Sequence, residues 1–217
     1  MEIDNLTFKK LCKVVYDNVG IVLNDNKKAL VSARVRKRMT ILGIDQFRDY
    51  YDYLQHESSG KELVQLLDVI STNVTHFFRE AEHFDILSEA ATQWVSNGQK
   101  KFRFWSAACS TGQEPYAMAM TLSEIKGMQS ADLKILGTDI STQVLSHSRQ
   151  GVYEEKHLKT IPPKLKNKYF EKRQNGEVSF EIKDSIKKLI SFKRLNLAKP
   201  PFPMQGPLVA VFCCNVM

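Results

Sequence analysis

The stretch FWSAACSTGQEPYAMAM, residues 104–120, changes character in its middle. Hydrophobic and small residues give way to Ser110-Thr111-Gly112-Gln113-Glu114-Pro115, and then an apolar helical pattern begins. Gly112 permits backbone angles closed to other residues, and Ala107, Ala108 and Ser110 are small. A ligand can therefore reach the main chain where a strand ends and a helix dipole begins. One glycine in place of three fails the dinucleotide fingerprint. Glu114 would repel an anionic ligand but suits a cationic or amino-bearing one. Asp139 ends the next strand, where an acid often holds ribose hydroxyls; as the alternative, it caps a helix starting at Ser141. Both acids at adjacent strand ends fit a nucleoside with a nearby positive group.

Outward from this stretch the pattern is strand, helix, strand, helix. Residues 101–107 and 133–138 read as strands, and residues 78–95, 115–126 and 141–150 as helices, the last ended by Gly151. This alternation predicts an α/β domain with a parallel sheet. Asn175-Gly176 is a hairpin signal, and with a strand at 189–195 it predicts a small antiparallel piece inserted here. Residues 208–213 read as a buried strand. The first seventy residues are different, a small bundle of four helices. Phe8, Leu11, Val15 and Val19 form the first stripe, and Gly20 stops it. Asn24 is expected to cap the second helix, Asp45 the third, and Ser58 or Ser59 to open the fourth.

The 43% hydrophobic and 25% charged fractions are those of a soluble globular chain, and the longest late apolar run is too short to span a bilayer. Cys12, Cys109, Cys213 and Cys214 show no metal-ligand spacing, so reduced thiols in a cytoplasm are expected. Of the net charge of +7, residues 151–199 carry the whole excess, 13 basic against 6 acidic. Six basic residues and no acid lie between Asn26 and Thr40. Lys27, Arg34 and Arg38 among them align along one helix side. A solvated face and a docking face both fit that pattern. No aromatic-interleaved basic motif favours nucleic acid.

Residues 71–80, STNVTHFFRE, and 105–116, WSAACSTGQEPY, resemble the chemotaxis-receptor glutamate methyltransferases, the CheR family. GTDIS at 137–141, RLNL at 194–197, FC at 212–213 and NVM at 215–217 extend the resemblance in order over nearly the whole chain. It implies a helical receptor-docking domain over 1–70, a linker and connecting helix over 71–100, and a Rossmann-like methyltransferase domain over 101–217. An antiparallel β-subdomain is inserted at about 152–194. The implied cofactor is S-adenosylmethionine, cradled by residues 110–114. Asn73, Thr75 and Arg79 are expected to contact it from the linker side. Glu114 matches the acid near its amino group, Asp139 the ribose ligand, and Asn196 and Leu197 the segment beside the adenine. Cys213 falls at the next strand end. No metal is implied.

A glutamate side chain is already ionised at neutral pH, so methylating it needs alignment more than a general base. Arg79 suits that task, because a guanidinium holds a carboxylate through paired charge-assisted bonds. By the resemblance, Lys27, Arg34 and Arg38 dock the acidic methylation helices in the cytoplasmic domains of methyl-accepting receptors. The expected setting is a bacterial cytoplasm, without nucleic acid or membrane insertion, and the expected product is a glutamyl methyl ester for sensory adaptation.

The sequence departs from the family's Asp-x-Ile-Phe-Cys-Arg-Asn-Val-Met-Ile-Tyr-Phe pattern. Val209 stands at its Asp and Cys214 at its Arg, and the tyrosine the family places near the transferred methyl lies beyond Met217. A truncated or altered carboxyl end is expected, with part of the sheet missing. Residues 208–213 would then be an interior strand left with an apolar unpaired edge, prone to association. The alternative function is an inactive receptor- or cofactor-binding module of the same family.

Overall fold

The computed structural model describes residues 3–71, 75–175 and 177–214. At its start the Asp4 carboxylate accepts the Thr7 amide at 2.9 Å and so satisfies a donor that the first helical turn leaves unpaired. Helix α1 (Asn5–Val19) follows, then α2 (Lys28–Leu42), α3 (Phe47–His56) and α4 (Lys61–Ile70). Gly20 stops α1 as the sequence predicts, and Gly43 stops α2 in the same way.

Three of the expected caps are corrected. Asn24 precedes a 3-10 turn and makes no capping bond, and α3 begins after Gln46 without a side-chain cap from Asp45. Before α4 it is Glu57 that reaches the open amides, accepting from Ser59 at 2.7 Å and Glu62 at 3.2 Å. An ionised carboxylate near a helix start gains from the dipole as well as the bonds, which favours Glu57 over the serines as the main acceptor. Ser59 contributes one weaker bond, from the Lys61 amide at 3.3 Å.

The chain divides into two units, and this helical one also includes Leu195–Pro203. Its core takes Phe8, Leu11 and Val15 from the predicted first stripe, then Val31, Val35 and Met39, closed by Phe47, Tyr50, Leu54 and Leu66. Within that core Arg38 forks onto Glu62 through bonds of 3.0 and 2.6 Å, and the Tyr50 hydroxyl donates to the same carboxylate at 2.8 Å. Burial, then the bond to Glu62, pushes the Tyr50 pKa far up. Arg34 donates to the Ile70 carbonyl at 2.6 Å, closing the last turn of α4.

The second unit comprises Asn73–Arg194 and Met204–Val216. In it α5 (Ala81–Ser96) leads to β1 (Lys101–Ala107), α6 (Gln113–Ser123), β2 (Asp132–Asp139) and α7 (Thr142–Gln150). The chain continues through β3 (Val152–Glu154), α8 (Pro163–Tyr169), β4 (Phe170–Asn175), β5 (Glu177–Ile182), α9 (Asp184–Lys187), β6 (Ile190–Arg194) and β7 (Ala210–Phe212). Four strands pair in parallel in the order β6-β2-β1-β7, and three pair antiparallel in the order β3-β5-β4.

Two expectations change here. Strand β6 joins the parallel sheet, where Gly137 of β2 faces Phe192; a Cβ on Gly137 would meet that ring at 2.8 Å. The antiparallel piece therefore ends before residue 190, short of the expected 194. Strand β7 pairs only with β1 among the described residues, which leaves the unpaired edge expected of it, but its residues are half-buried or exposed and not the buried strand the sequence suggested.

Helix α5 also starts later than its apolar pattern suggests. Phe78 and Glu80 hold left-handed backbone angles, φ 55° and 56°, which no helix accommodates. Phe77 anchors that turn. It is fully buried, its ring sits edge-on to Tyr153 at 5.0 Å and Phe170 at 5.7 Å, and its carbonyl accepts from the Thr160 hydroxyl at 2.7 Å.

Candidate functional site

The loop between β1 and α6 follows from its sequence. Past Ala107 the Cys109 amide still bonds to the Thr138 carbonyl at 2.8 Å, and then the chain leaves the sheet. Ala108 and Ser110 take left-handed angles, φ 54° and 48°. Such positions cost on the order of 1–3 kcal/mol each and persist where surrounding contacts impose them. Here those contacts grip the loop from one side. Ser148 donates to the Ser110 carbonyl at 3.0 Å, and the Tyr153 hydroxyl donates to the Thr111 carbonyl at 2.7 Å. Gly112 closes the turn at φ 94°, where a Cβ would meet Ser148 at 3.0 Å and the Tyr153 hydroxyl at 3.2 Å. A side chain there would push against the clamp itself.

Two acids grip the same loop. The buried Asp139 carboxylate accepts the Ser110 amide at 2.8 Å through one oxygen and the Ser141 amide at 3.0 Å through the other. The helix cap of α7 is Ser141, whose hydroxyl accepts from Val144. Asp139 instead fastens the ends of β1 and β2 to each other. Glu114, half-buried in the first turn of α6, accepts from the Ser106 hydroxyl at 2.6 Å. Burial raises its pKa above the ordinary 4.5, while bonds from Ser106 and Cys214 and the nearby His83 pull the other way.

Arg79 stands in the strained turn between Phe78 and Glu80, and both it and Thr75 are half-buried. The electrostatic influence of Glu80 on Glu114 sets this turn beside the α6 start. Cys213 directly follows β7, and Phe212 is in register with Ser106 of β1. Thus Glu114, Asp139 and Cys213 gather at the C-terminal ends of adjacent parallel strands, where ligands of such sheets bind. Asn196 and Leu197 fall in the helical unit, where Asn196 donates to the Asn18 carbonyl and accepts from the Ala198 amide at 2.9 Å. Asn73 lies outside the described residues.

The basic side of α2 is placed differently from its sequence reading. Arg34 and Arg38 are half-buried and bonded inside the helical unit, and Lys27 belongs to the 3-10 turn before α2. The exposed cations on α2 are Arg36 and Lys37. Sequence reasoning also missed Ser106, Ser148 and Tyr153, the groups that hold the loop. Only Ser106 carried a signal, a polar residue in an otherwise apolar strand. The approach of His83 Nδ1 to Cys214 Sγ, 3.5 Å, had none, because the two residues lie far apart in the chain.

Two family descriptions match: CheR methyltransferase, all-alpha domain, over residues 6–71, and CheR methyltransferase, SAM binding domain, over residues 73–217. The chain is 39% identical to a chemotaxis protein methyltransferase of Borreliella burgdorferi, the match covering 96% of this chain and 75% of that one. Against the chemotaxis protein methyltransferases of Salmonella typhimurium and Escherichia coli the identities are 37% and 35%, each covering 97% of this chain and 72% of the relative.

Proposed function

This chain belongs to the CheR family of chemotaxis protein methyltransferases, and from that premise we propose how its own residues carry the reaction. The activity is S-adenosylmethionine-dependent methylation of glutamate side chains on chemotaxis receptors. When bound, the cofactor supplies a sulfonium methyl already activated for transfer.

The observation that carries the residue assignments is the state of Glu114. It is half-buried in the first turn of α6, and burial raises its pKa more than the Ser106 and Cys214 bonds and the nearby His83 lower it, so a ligand bringing a fixed amino group would suit it. Asp139 accepts two amides, and a carboxylate is an acceptor-only group able to take several hydrogen bonds, which suits a ribose hydroxyl. Thr75, Arg79 and Cys213 are proposed as further cofactor contacts, and Asn73, Asn196 and Leu197 join the set on the family resemblance alone. Arg79 aligns the receptor carboxylate by a two-bonded contact. Its half-buried place in the turn that leads into α5 supports this. The carboxylate arrives ionised, so no proton has to be moved before transfer.

The proposed partner surface is the cytoplasmic part of methyl-accepting receptors, met through the basic side of α2. Arg36 and Lys37 make the outward contacts, Lys27 and Arg34 add positive charge behind them, and Arg38, paired with Glu62, holds the helix in place. No described helix is long and apolar enough to cross a membrane, which suits a cytoplasmic setting.

The test is calorimetry of S-adenosylmethionine binding beside a methyl-transfer assay on receptor-containing membranes. Asp139→Ala is expected to weaken binding by roughly 1–3 kcal/mol through lost hydrogen bonds to a charged group. Unchanged affinity in a folded variant would overturn the ribose assignment. Transfer by the 217-residue chain separates the enzyme from an inactive binding module.

A further inference from the structure

We propose that Glu80, His83 and Cys214 form a binding site for a divalent transition-metal cation, with Zn2+ the best match. One ligand atom from each lies within 4.8 Å of the others. The finer distances carry the proposal. His83 Nδ1 is 3.5 Å from Cys214 Sγ and 3.3 Å from Glu80 Oε2. A tetrahedral Zn2+ with ordinary bond lengths sets its sulfur and nitrogen ligands about 3.6 Å apart and its nitrogen and oxygen ligands about 3.4 Å apart. The two measured separations thus match two edges of such a tetrahedron. The donor set of thiolate, imidazole and carboxylate selects zinc-like ions over Mg2+ or Ca2+, which prefer all-oxygen shells.

The scaffold holds these donors in place. Glu80 and His83 are one turn apart at the start of α5, with the His83 amide on the Glu80 carbonyl at 2.9 Å. The His83 ring meets Phe212 edge-on at 6.3 Å, and Phe212 is the residue of β7 two positions before Cys214. Phe84 packs on Phe212 at 5.7 Å, so both ligand-bearing segments rest on one aromatic cluster. Glu80 and His83 are about half-exposed, at 46% and 45%, which leaves a cation a way in. Three protein ligands leave a fourth position open to water. On binding, the Cys214 thiol forms the metal–sulfur bond and releases its proton to solvent. None of the three is a residue assigned to the cofactor, although Cys214 also bonds to Glu114, so metal binding is read by the cobalt band and not by cofactor affinity.

The experiment titrates the 217-residue protein with Zn2+ by calorimetry and with Co2+ by absorption. The expected result is one equivalent bound, a thiolate-to-cobalt charge-transfer band, and proton release that scales with buffer ionisation heat. Cys214→Ser should abolish the band, and His83→Gln should weaken Zn2+ binding by at least about tenfold, each with an unchanged thermal midpoint in chelator. Should Cys214→Ser fail to fold, His83→Gln decides alone. A band lost in Cys12→Ser, Cys109→Ser or Cys213→Ser but kept in Cys214→Ser would overturn the site. Binding without any thiolate band would overturn it equally, leaving three side chains that only hydrogen-bond.

Discussion

Glu114 carries opposite consequences for stability and for binding. Its folded pKa lies above the ordinary 4.5 because of burial, so ionisation is disfavoured in the folded state. Stability therefore falls as pH rises from below the ordinary carboxylate range through the raised value, and the loss persists at neutral pH. Glu114→Gln removes that cost while keeping an oxygen for Ser106. Without ligand at pH 7.5 its thermal midpoint should exceed the parent's by about 2–4 °C for each kcal/mol recovered. The difference should vanish near pH 4, where both side chains are neutral. The same variant should bind S-adenosylmethionine roughly 10- to 100-fold more weakly, as expected for losing a charge-assisted contact. A destabilised variant would mean that the Ser106 and Cys214 bonds outweigh burial.

At the scale of elements, α2 shows what a sequence pattern can and cannot say. Its apolar stripe was legible, since Val31, Val35 and Met39 repeat at helical spacing and are buried. The loop before α6 was legible too, because Gly112 and the small residues around it constrain the backbone locally. The partners of Arg34 and Arg38 were not, since Ile70 and Glu62 come from α4 and no local spacing reports them. Strand β6 was assigned to the wrong sheet for the same reason: its neighbour β2 is distant in sequence. Removing one member of a buried ion pair costs about 3–5 kcal/mol, so Arg38→Ala should lower the denaturant midpoint sharply. Reversing Arg36 and Lys37 should leave that midpoint within about 0.5 kcal/mol, as exposed sites do. It should nevertheless reduce binding to receptor-containing membranes, most visibly at low salt, because exposed charges are screened within about 10 Å at 0.1 M. Equal loss of stability in both variants would remove α2 from the docking surface.

Over the whole molecule the parallel sheet is assembled from unequal distances along the chain. Strands β1 and β2 are separated mainly by α6, and they pair over seven positions. Strand β6 reaches β2 only after the antiparallel insertion, and β7 reaches β1 after that and a proline-rich segment, pairing over three positions. Short separations close first, because the entropy of closing a loop grows with its length. Assembly should therefore run in a fixed temporal order: the β1-β2 pair as nucleus, β6 next and β7 last. Hydrogen exchange of the native protein should show the reverse, with β7 amides labelling first and the β1-β2 ladder last. Since β7 carries Cys213 and Cys214 to the strand ends, the rim beside Glu114 would be the latest part to form and the earliest to open. A protease or a thiol reagent given a brief exposure would then find that rim before any other part of the sheet.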